Sequence, residues 1–337
     1  MIRIKDIAKK CKVSISTVSK ALNGASDLSD KTAEKIRKIS RDMGYIPNAN
    51  ARVLKTNKSH NIGVLFVDKT SSGLKHEYFS SILNSIKVEA ESKGYDITFI
   101  SNVIGKNSMT YYEHAKYRGC DGVIIASVDF LDPQVIELVN SEIPSVTIDY
   151  TFNNKSSIMS DNSAGLEDIV HYLYKMGHRK IAFIHGEDTA VTQKRLTSFY
   201  RTMQSLGLPV DESLIKAGIY HHPKSSGLAT REILSSSDWP TCIIYPDDYS
   251  MLAGITEIEK HNLTIPDGMS IVGYDGIELS RCIRPMFTTY VQDSEQIGKK
   301  AADKLIQTIE NPLTTEAETI MVKGYLQEGK TVKALIN

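Results

Sequence analysis

Val13-Ser14-Ile15-Ser16-Thr17-Val18-Ser19-Lys20-Ala21-Leu22-Asn23 is the stretch on which the reading of this chain turns. Val18, Ala21 and Leu22 form one apolar stripe of a short helix, Ser14 can cap its start, and Asn23-Gly24 can stop it. Upstream, Ile4, Ile7, Ala8 and Cys11 recur at i, i+3, i+4, i+7, so a first helix precedes it across the short turn Cys11-Lys12-Val13. Downstream, Ser29 can cap a third helix whose Ala33, Ile36, Ile39, Ser40 and Met43 face inward until Gly44. Two short helices about a tight turn make a helix-turn-helix, whose second helix lays its N-terminal residues against base edges in the major groove. Here those residues are Ser14, Ile15, Ser16, Thr17 and Lys20. Hydroxyls bond phosphates or bases, Ile15 can cover a thymine methyl, and Lys20 can donate to guanine O6 and N7. A helical pair of this kind can also pack inside an enzyme, so the motif needs support from the rest of the chain.

Charge supplies it. The 337 residues carry 40 basic and 40 acidic side chains, but residues 1–60 hold 14 Lys and Arg against five acids. A head of net charge +9 therefore sits on a body of net charge −9. Phosphate-backbone binding asks for that asymmetry, because each neutralised phosphate releases a condensed counterion. No apolar run approaches the roughly 20 residues of a membrane-spanning helix. The start, Met1-Ile2-Arg3-Ile4-Lys5-Asp6, lacks the apolar region of a secretory signal. Cys11, Cys120, Cys242 and Cys282 stand singly. The expectation is a cytoplasmic protein with no disulfide framework, no metal site and no cofactor. The adjacent His221-His222 is not spaced to share a metal.

From Ile62 the pattern changes. Ile62–Val67, Tyr95–Ile100, Gly122–Ala126, Val146–Ile148, Ile181–Ile184, Cys242–Tyr245 and Ser270–Tyr274 read as buried strands, with helical patterns between them. Helices are expected near Phe79–Ser92, Ser108–Tyr117, Pro133–Asn140, Ala164–Met176, Gln193–Leu206 and Tyr249–Lys260. Strands apolar on both faces and alternating with helices imply parallel sheets covered on both sides. The expected fold is a small all-α helix-turn-helix domain followed by α/β, two doubly wound parallel-sheet lobes. The boundaries are a headpiece at 1–47, a hinge and linker at 48–61, and a two-lobed domain at 62–337. Its first lobe takes about 62–160 and 291–317, its second about 161–290 and 318–337. Ligands of such sheets bind beyond the carboxyl ends of the strands, here in the cleft between lobes.

Ile4-Lys5-Asp6-Ile7-Ala8, the stretch Val13–Asn23 and Gly44-Tyr45-Ile46-Pro47-Asn48 closely resemble the headpiece of the LacI/GalR family of repressors. Further matches are Ser160-Asp161-Asn162, Gly177-His178-Arg179-Lys180-Ile181, Val272-Gly273-Tyr274-Asp275 and Thr288-Thr289-Tyr290-Val291-Gln292, so the resemblance spans the chain. It implies a periplasmic-binding-protein-like sensing domain, a homodimer, and a repressor of a pseudo-palindromic DNA operator under control of a small molecule. It implies base reading by Ile15, Ser16 and Lys20, and phosphate contact or bracing by Thr17, Ser19, Asn23 and Ser29. Ile15 departs from the family's usual tyrosine or threonine. The resemblance also makes Asn48–Lys55 a hinge helix, with Leu54 as a minor-groove wedge. Independently, an apolar residue flanked by Arg52 and Lys55 can offset unstacking by bending the duplex.

In the sensing domain Asp149 stands in the loop after the Val146–Ile148 strand, and the resemblance points to Arg195 and Asp275, to Asp247 where the family usually has asparagine, and to the loop with His76, Tyr78 and Phe79. Carboxylates, an arginine and aromatic rings suit a polyhydroxylated ligand such as a carbohydrate. The excess of acids argues against a phosphorylated one. Two other functions compete. A solute-binding protein shares the sensing fold but needs an export signal and has no use for a basic helical head. An α/β enzyme should show a G-x-S-x-G, G-x-x-x-x-G-K-[ST] or H-E-x-x-H motif, and this sequence has none.

Overall fold

The computed structural model describes residues 2–22, 27–46, 58–67, 73–75, 77–105 and 107–335. The chain forms two compact units, Met1–Ser59 and His60–Asn337.

In the first unit, α1 (Ile4–Cys11), α2 (Ile15–Leu22) and α3 (Asp30–Asp42) close over Ile7, Ala8, Val18, Ala21, Ala33 and Ile36. The apolar stripes seen in the sequence are this core. Lys12, left-handed at φ 56°, ends α1, and the Val13 N–H returns to Ala8 O at 3.1 Å. Ser14 Oγ accepts the Thr17 N–H at 3.0 Å and so caps α2. Arg37 of α3 donates from Nε to Ala21 O at the end of α2, 3.0 Å away.

The second unit begins with β1 (Asn61–Phe66), α4 (Glu77–Ser92) and β2 (Asp96–Ile100). A small antiparallel ribbon, β3 (Val103–Ile104) and β4 (Asn107–Ser108), precedes α5 (Tyr111–Tyr117). The helix expected from Ser108 thus starts at Tyr111. Thr110 caps it reciprocally, accepting from Glu113 N while Glu113 accepts from Thr110 N. Then come β5 (Gly122–Ala126), α6 (Pro133–Asn140), β6 (Ser145–Ile148) and β7 (Ser156–Ser160).

The chain enters the second lobe with α7 (Asn162–Lys175), β8 (Ile181–His185), α8 (Ala190–Ser205), β9 (Ile215–Ala217) and α9 (Pro223–Leu234). It continues with β10 (Cys242–Ile244), α10 (Asp248–Lys260), β11 (Ser270–Asp275), the short α11 (Leu279–Cys282) and β12 (Thr289–Val291). It returns for α12 (Ser294–Glu310) and β13 (Thr319–Val322), and ends beyond β14 (Tyr325–Gln327).

One six-stranded sheet has the order β13-β7-β6-β5-β1-β2, the other β14-β12-β11-β10-β8-β9. All their pairings are parallel except β12 with β14. Alternate strand residues feed two cores per sheet. Val64 and Ile124 face α4 and α12, while Leu65, Val123 and Ile125 face α5 and α6. Phe183, Ile244 and Val272 face α7 and α8, while Ile184, Ile243 and Ile271 face α9 and α10. This is the doubly wound architecture the sequence implied.

One boundary is corrected. Thr319–Val322 was assigned to the second lobe, but it pairs with Ser156–Ser160 in the first lobe's sheet. The chain therefore crosses between lobes near residues 160–162, 291–293 and 322–325. The partner strand β7 was itself unread in the sequence, because three of its five residues are serines. All five are buried, and Ser157 Oγ donates to Thr319 Oγ1 at 3.1 Å.

Candidate DNA-reading face and ligand cleft

In the head, α2 turns Val18 and Ala21 inward and exposes Ser14, Ile15, Ser16 and Lys20. Ser16 and Lys20 are four residues apart and share one face. Ile15, an isoleucine with 52% of its surface exposed, stands beside them and outside the head's apolar core. Ser14 Oγ lies 2.7 Å from Ser16 Oγ and 2.8 Å from Thr17 Oγ1, so three hydroxyls cluster at the helix start. Thr17 and Ser19 are half-buried flanks of that face. Ser29 precedes α3 and bonds Thr32 Oγ1 at 2.9 Å instead of capping the helix with its side chain. The Lys20 ammonium is paired with the Asp27 carboxylate. Asn23, Arg52, Leu54, Lys55 and His76 lie outside the described residues.

In the second unit a cavity of about 570 Å³ opens at the carboxyl ends of both sheets. It brings together five of the residues singled out from the sequence: Tyr78, Phe79, Asp149, Arg195 and Asp275. Tight turns deliver several of its groups. Ser127 after β5, Asp149 after β6, His221 after β9 and Asp275 ending β11 all line it, with φ of 52°, 62°, 51° and 96°. These are half of the eight non-glycine residues with positive φ among the described residues, and that strain is concentrated where a ligand would sit.

Arg195 is 4% exposed. Its Nε donates to Asn162 Oδ1 and its Nη1 to Pro246 O, both at 2.8 Å, and its guanidinium lies 3.5 Å from the Tyr274 ring centroid. Asn162 belongs to the Ser160-Asp161-Asn162 motif, which is now explained as a brace for the arginine. Asp149 accepts the Ser160 N–H at 2.9 Å. Burial raises its pKa, against the pull of that N–H and of Arg195.

Gln292 connects the lobes. It donates from Nε2 to Asp275 Oδ1 at 2.6 Å, while its Oε1 accepts the Tyr78 hydroxyl at 3.3 Å and the Ser160 hydroxyl at 2.5 Å.

Asp247 does not line the cavity. It is fully buried, caps α10 through Ser250 N at 2.7 Å, and accepts the His221 N–H at 2.9 Å. The position that was expected to meet the ligand instead holds the backbone of His221, which lines the cavity. That imidazole stands between two carboxylates, 3.8 Å from Asp247 Oδ1 and 3.4 Å from Asp275 Oδ2. Asp248 turns the other way and accepts the N–H groups of Gly276 and Ile277 at 2.8 and 3.0 Å. A Cβ at residue 273 would come within 2.0 Å of its other oxygen, so glycine is required there. The adjacent acids thus pin two loops of the cleft.

Sequence reasoning missed Tyr220, His221, Gln292 and the wall formed by Phe130 and Tyr150. These two rings stack with centroids 4.5 Å apart and planes 7° from parallel, with Phe152 packed against both. Tyr220 fits because Gly186 leaves room: a Cβ there would stand 2.1 Å from the ring. Gln292 ended a quoted motif, and that was its only signal.

Residues 3–48 match the family described as bacterial regulatory proteins of the lacI family, and residues 170–332 match a periplasmic binding protein-like domain. The chain is 29% identical to a probable HTH-type transcriptional repressor ExuR of Bacillus subtilis over 339 residues, covering 99% of each chain. It is likewise 29% identical to the HTH-type transcriptional repressor PurR of Pasteurella multocida, over 340 residues and 99% of each. Among solved structures it resembles the Lac repressor dimer bound to operator and the anti-inducer ONPF. That match has a TM-score of 0.81 and 25% identity, and covers 99% of both chains. With its basic helix-turn-helix head and its two parallel-sheet lobes, the chain belongs to the LacI family of DNA-binding transcriptional regulators.

Proposed function

We propose that the chain represses transcription as a homodimer on a pseudo-palindromic operator, and that a neutral polyhydroxylated molecule, a sugar, sets its operator affinity from the cleft. The observation that carries the ligand reading is the meeting of Asp149, Arg195 and Asp275 on one cavity with an aromatic wall. Carboxylates accept from neighbouring hydroxyls, and rings cover the apolar face of a sugar. Asp129, Glu187 and Asp188 also line the cavity and oppose an anionic ligand. Tyr78, Phe79 and His221 complete the contacts, and Asp247 supports His221 from behind.

Operator contact falls to Ser14, Ile15, Ser16, Thr17, Ser19, Lys20, Asn23 and Ser29, with Arg52, Leu54 and Lys55 entering the minor groove. One small head buries too little surface for strong specificity, which favours two heads on two half-sites. The hinge at 48–61 joins the head to the first lobe covalently, so lobe closure and operator binding share one equilibrium. Their coupling is reciprocal and typically about 1–3 kcal/mol. The relatives are repressors, which supports a regulator and not an enzyme.

A thermal-shift panel of neutral sugars and of their phosphates, followed by operator binding with each hit, tests this reading. A neutral sugar should raise Tm and change operator affinity. Stabilisation by sugar phosphates alone would overturn the ligand class.

A further inference from the structure

The five acids of the head are Asp6, Asp27, Asp30, Glu34 and Asp42. Asp6 spends its carboxylate on the Arg3 N–H at the start of α1, 2.8 Å away. Asp30 opens α3, where the helix dipole favours an acid. Asp27 serves neither purpose. Its carboxylate holds the ammonium of Lys20, in the last turn of α2. Both side chains are about half exposed, at 48% for Lys20 and 56% for Asp27. The pair therefore lies on the surface, at the end of the face that carries Ile15 and Ser16. The Lys20 hydrogen bond also lowers the Asp27 pKa, so the acid is ionised at neutral pH.

An exposed ion pair of this kind adds little to stability. It has a larger consequence beside a polyanion. A lysine on a reading helix can go to any phosphate, and that contact carries no sequence information. A carboxylate at its side competes for the ammonium and is itself repelled by phosphates. Against a G·C pair both groups are satisfied: the ammonium donates to guanine O6 or N7, and the carboxylate accepts from cytosine N4.

We propose that Asp27 is a specificity-determining residue of the head, which withholds Lys20 from phosphates and, with it, reads one G·C pair in each half-site. The inference rests on the DNA-binding reading above and goes beyond it. Asp27 turns a general attraction for DNA into a conditional one.

The test uses the full chain, its Asp27→Asn and Lys20→Ala variants, and a random-sequence DNA duplex library. Each protein is taken through rounds of selection, and its affinity for unselected duplex is measured across a KCl series. Because both side chains are exposed, neither variant should move the unfolding midpoint. Asp27→Asn should bind unselected duplex roughly 3–10-fold more tightly at low salt, with a salt slope steeper by about one counterion. Its selected half-site should lose the G·C preference at one position, the same position that Lys20→Ala relaxes. An unchanged affinity for unselected duplex, or a retained G·C preference, overturns the proposal. If the wild-type chain itself enriches no sequence, the DNA-binding reading falls and this inference falls with it.

Discussion

The proposed reading face of the head and the wall of the cleft are built on opposite plans. Ser14, Ile15, Ser16 and Lys20 are exposed, and their recorded side-chain partners lie within seven residues along the chain. Arg195, Asp275 and Gln292 are buried, and their partners lie 17 to 214 residues away. A surface that meets DNA finds its partners in the DNA, so it needs little from its own chain beyond a rigid helix. A cleft that excludes water must satisfy its polar groups internally before a ligand arrives. Substitutions in the head should therefore change recognition and spare stability, whereas those in the cleft should change both.

Arg195→Ala puts the largest strain on this contrast. The change leaves Asn162 Oδ1 and Pro246 O without their donor, empties the space over Tyr274, and removes a positive charge that acts on Asp149. Removing one partner of a buried charged network costs about 3–5 kcal/mol. Trp239 is the single tryptophan and lies in the second unit, so its fluorescence during urea unfolding isolates that unit from the head. A loss near that size, together with a lost ligand response, is expected. A loss under about 1 kcal/mol would mean that the guanidinium is held by the cleft without supporting it.

The same contrast governs what could be read from the sequence. The head was legible because its core repeats every three or four residues and its caps sit beside the helices they stop. Ile7, Ala8, Val18, Ala21, Ala33 and Ile36 were all marked as inward positions and all are buried. The strands of both sheets were legible where they are continuous apolar runs. They were not where hydroxyls are satisfied across the sheet, as in Ser156–Ser160, or where a short strand is interrupted by a charge, as in Ile215-Lys216-Ala217. In the cleft, Arg195 and Asp275 came from the family pattern and Asp149 from its place after a strand, but Gln292 and His221 are held by partners that only tertiary structure brings near. Asp247 shows the limit best. Its neighbour in sequence, Asp248, faces a different loop, so two adjacent letters carry two unrelated jobs.

Asp248→Asn sharpens the comparison from the other direction, since here a cleft substitution should stabilise. Burial raises the Asp248 pKa well above the usual carboxylate range. The folded state therefore holds this proton to higher pH than the unfolded chain, whose pKa is about 3.9. Stability attributable to this group is present at low pH and is lost as pH rises through the folded pKa. An asparagine carbonyl can still accept from Gly276 and Ile277, and its amide can face Thr289, which sits beside the other oxygen. The variant should be more stable than wild type at pH 8, by on the order of 1 kcal/mol. The two should converge as pH falls toward 4. Urea unfolding at pH 5 and pH 8 measures this. A difference that does not shrink with falling pH would assign the effect to packing instead of protonation.

Ile15→Ala tests the head with the smallest expected effect on the fold. Ile15 is 52% exposed and absent from the buried core beneath it, so its truncation should change stability by no more than about 0.5 kcal/mol. On the proposed reading, this exposed isoleucine at the start of α2 makes an apolar contact with DNA. If that contact is a thymine methyl, removing the methyl from the DNA should cost wild type about what removing the side chain does, near 0.8 kcal/mol per methyl group buried. The selected operator is therefore made with deoxyuridine in place of thymidine, one position at a time. At one position per half-site the wild type should lose affinity and Ile15→Ala should be indifferent. If both proteins lose equally at every position, Ile15 touches no methyl. Its exposure would then have to be explained by contact with the sugar-phosphate backbone, and the choice of isoleucine would carry no base information.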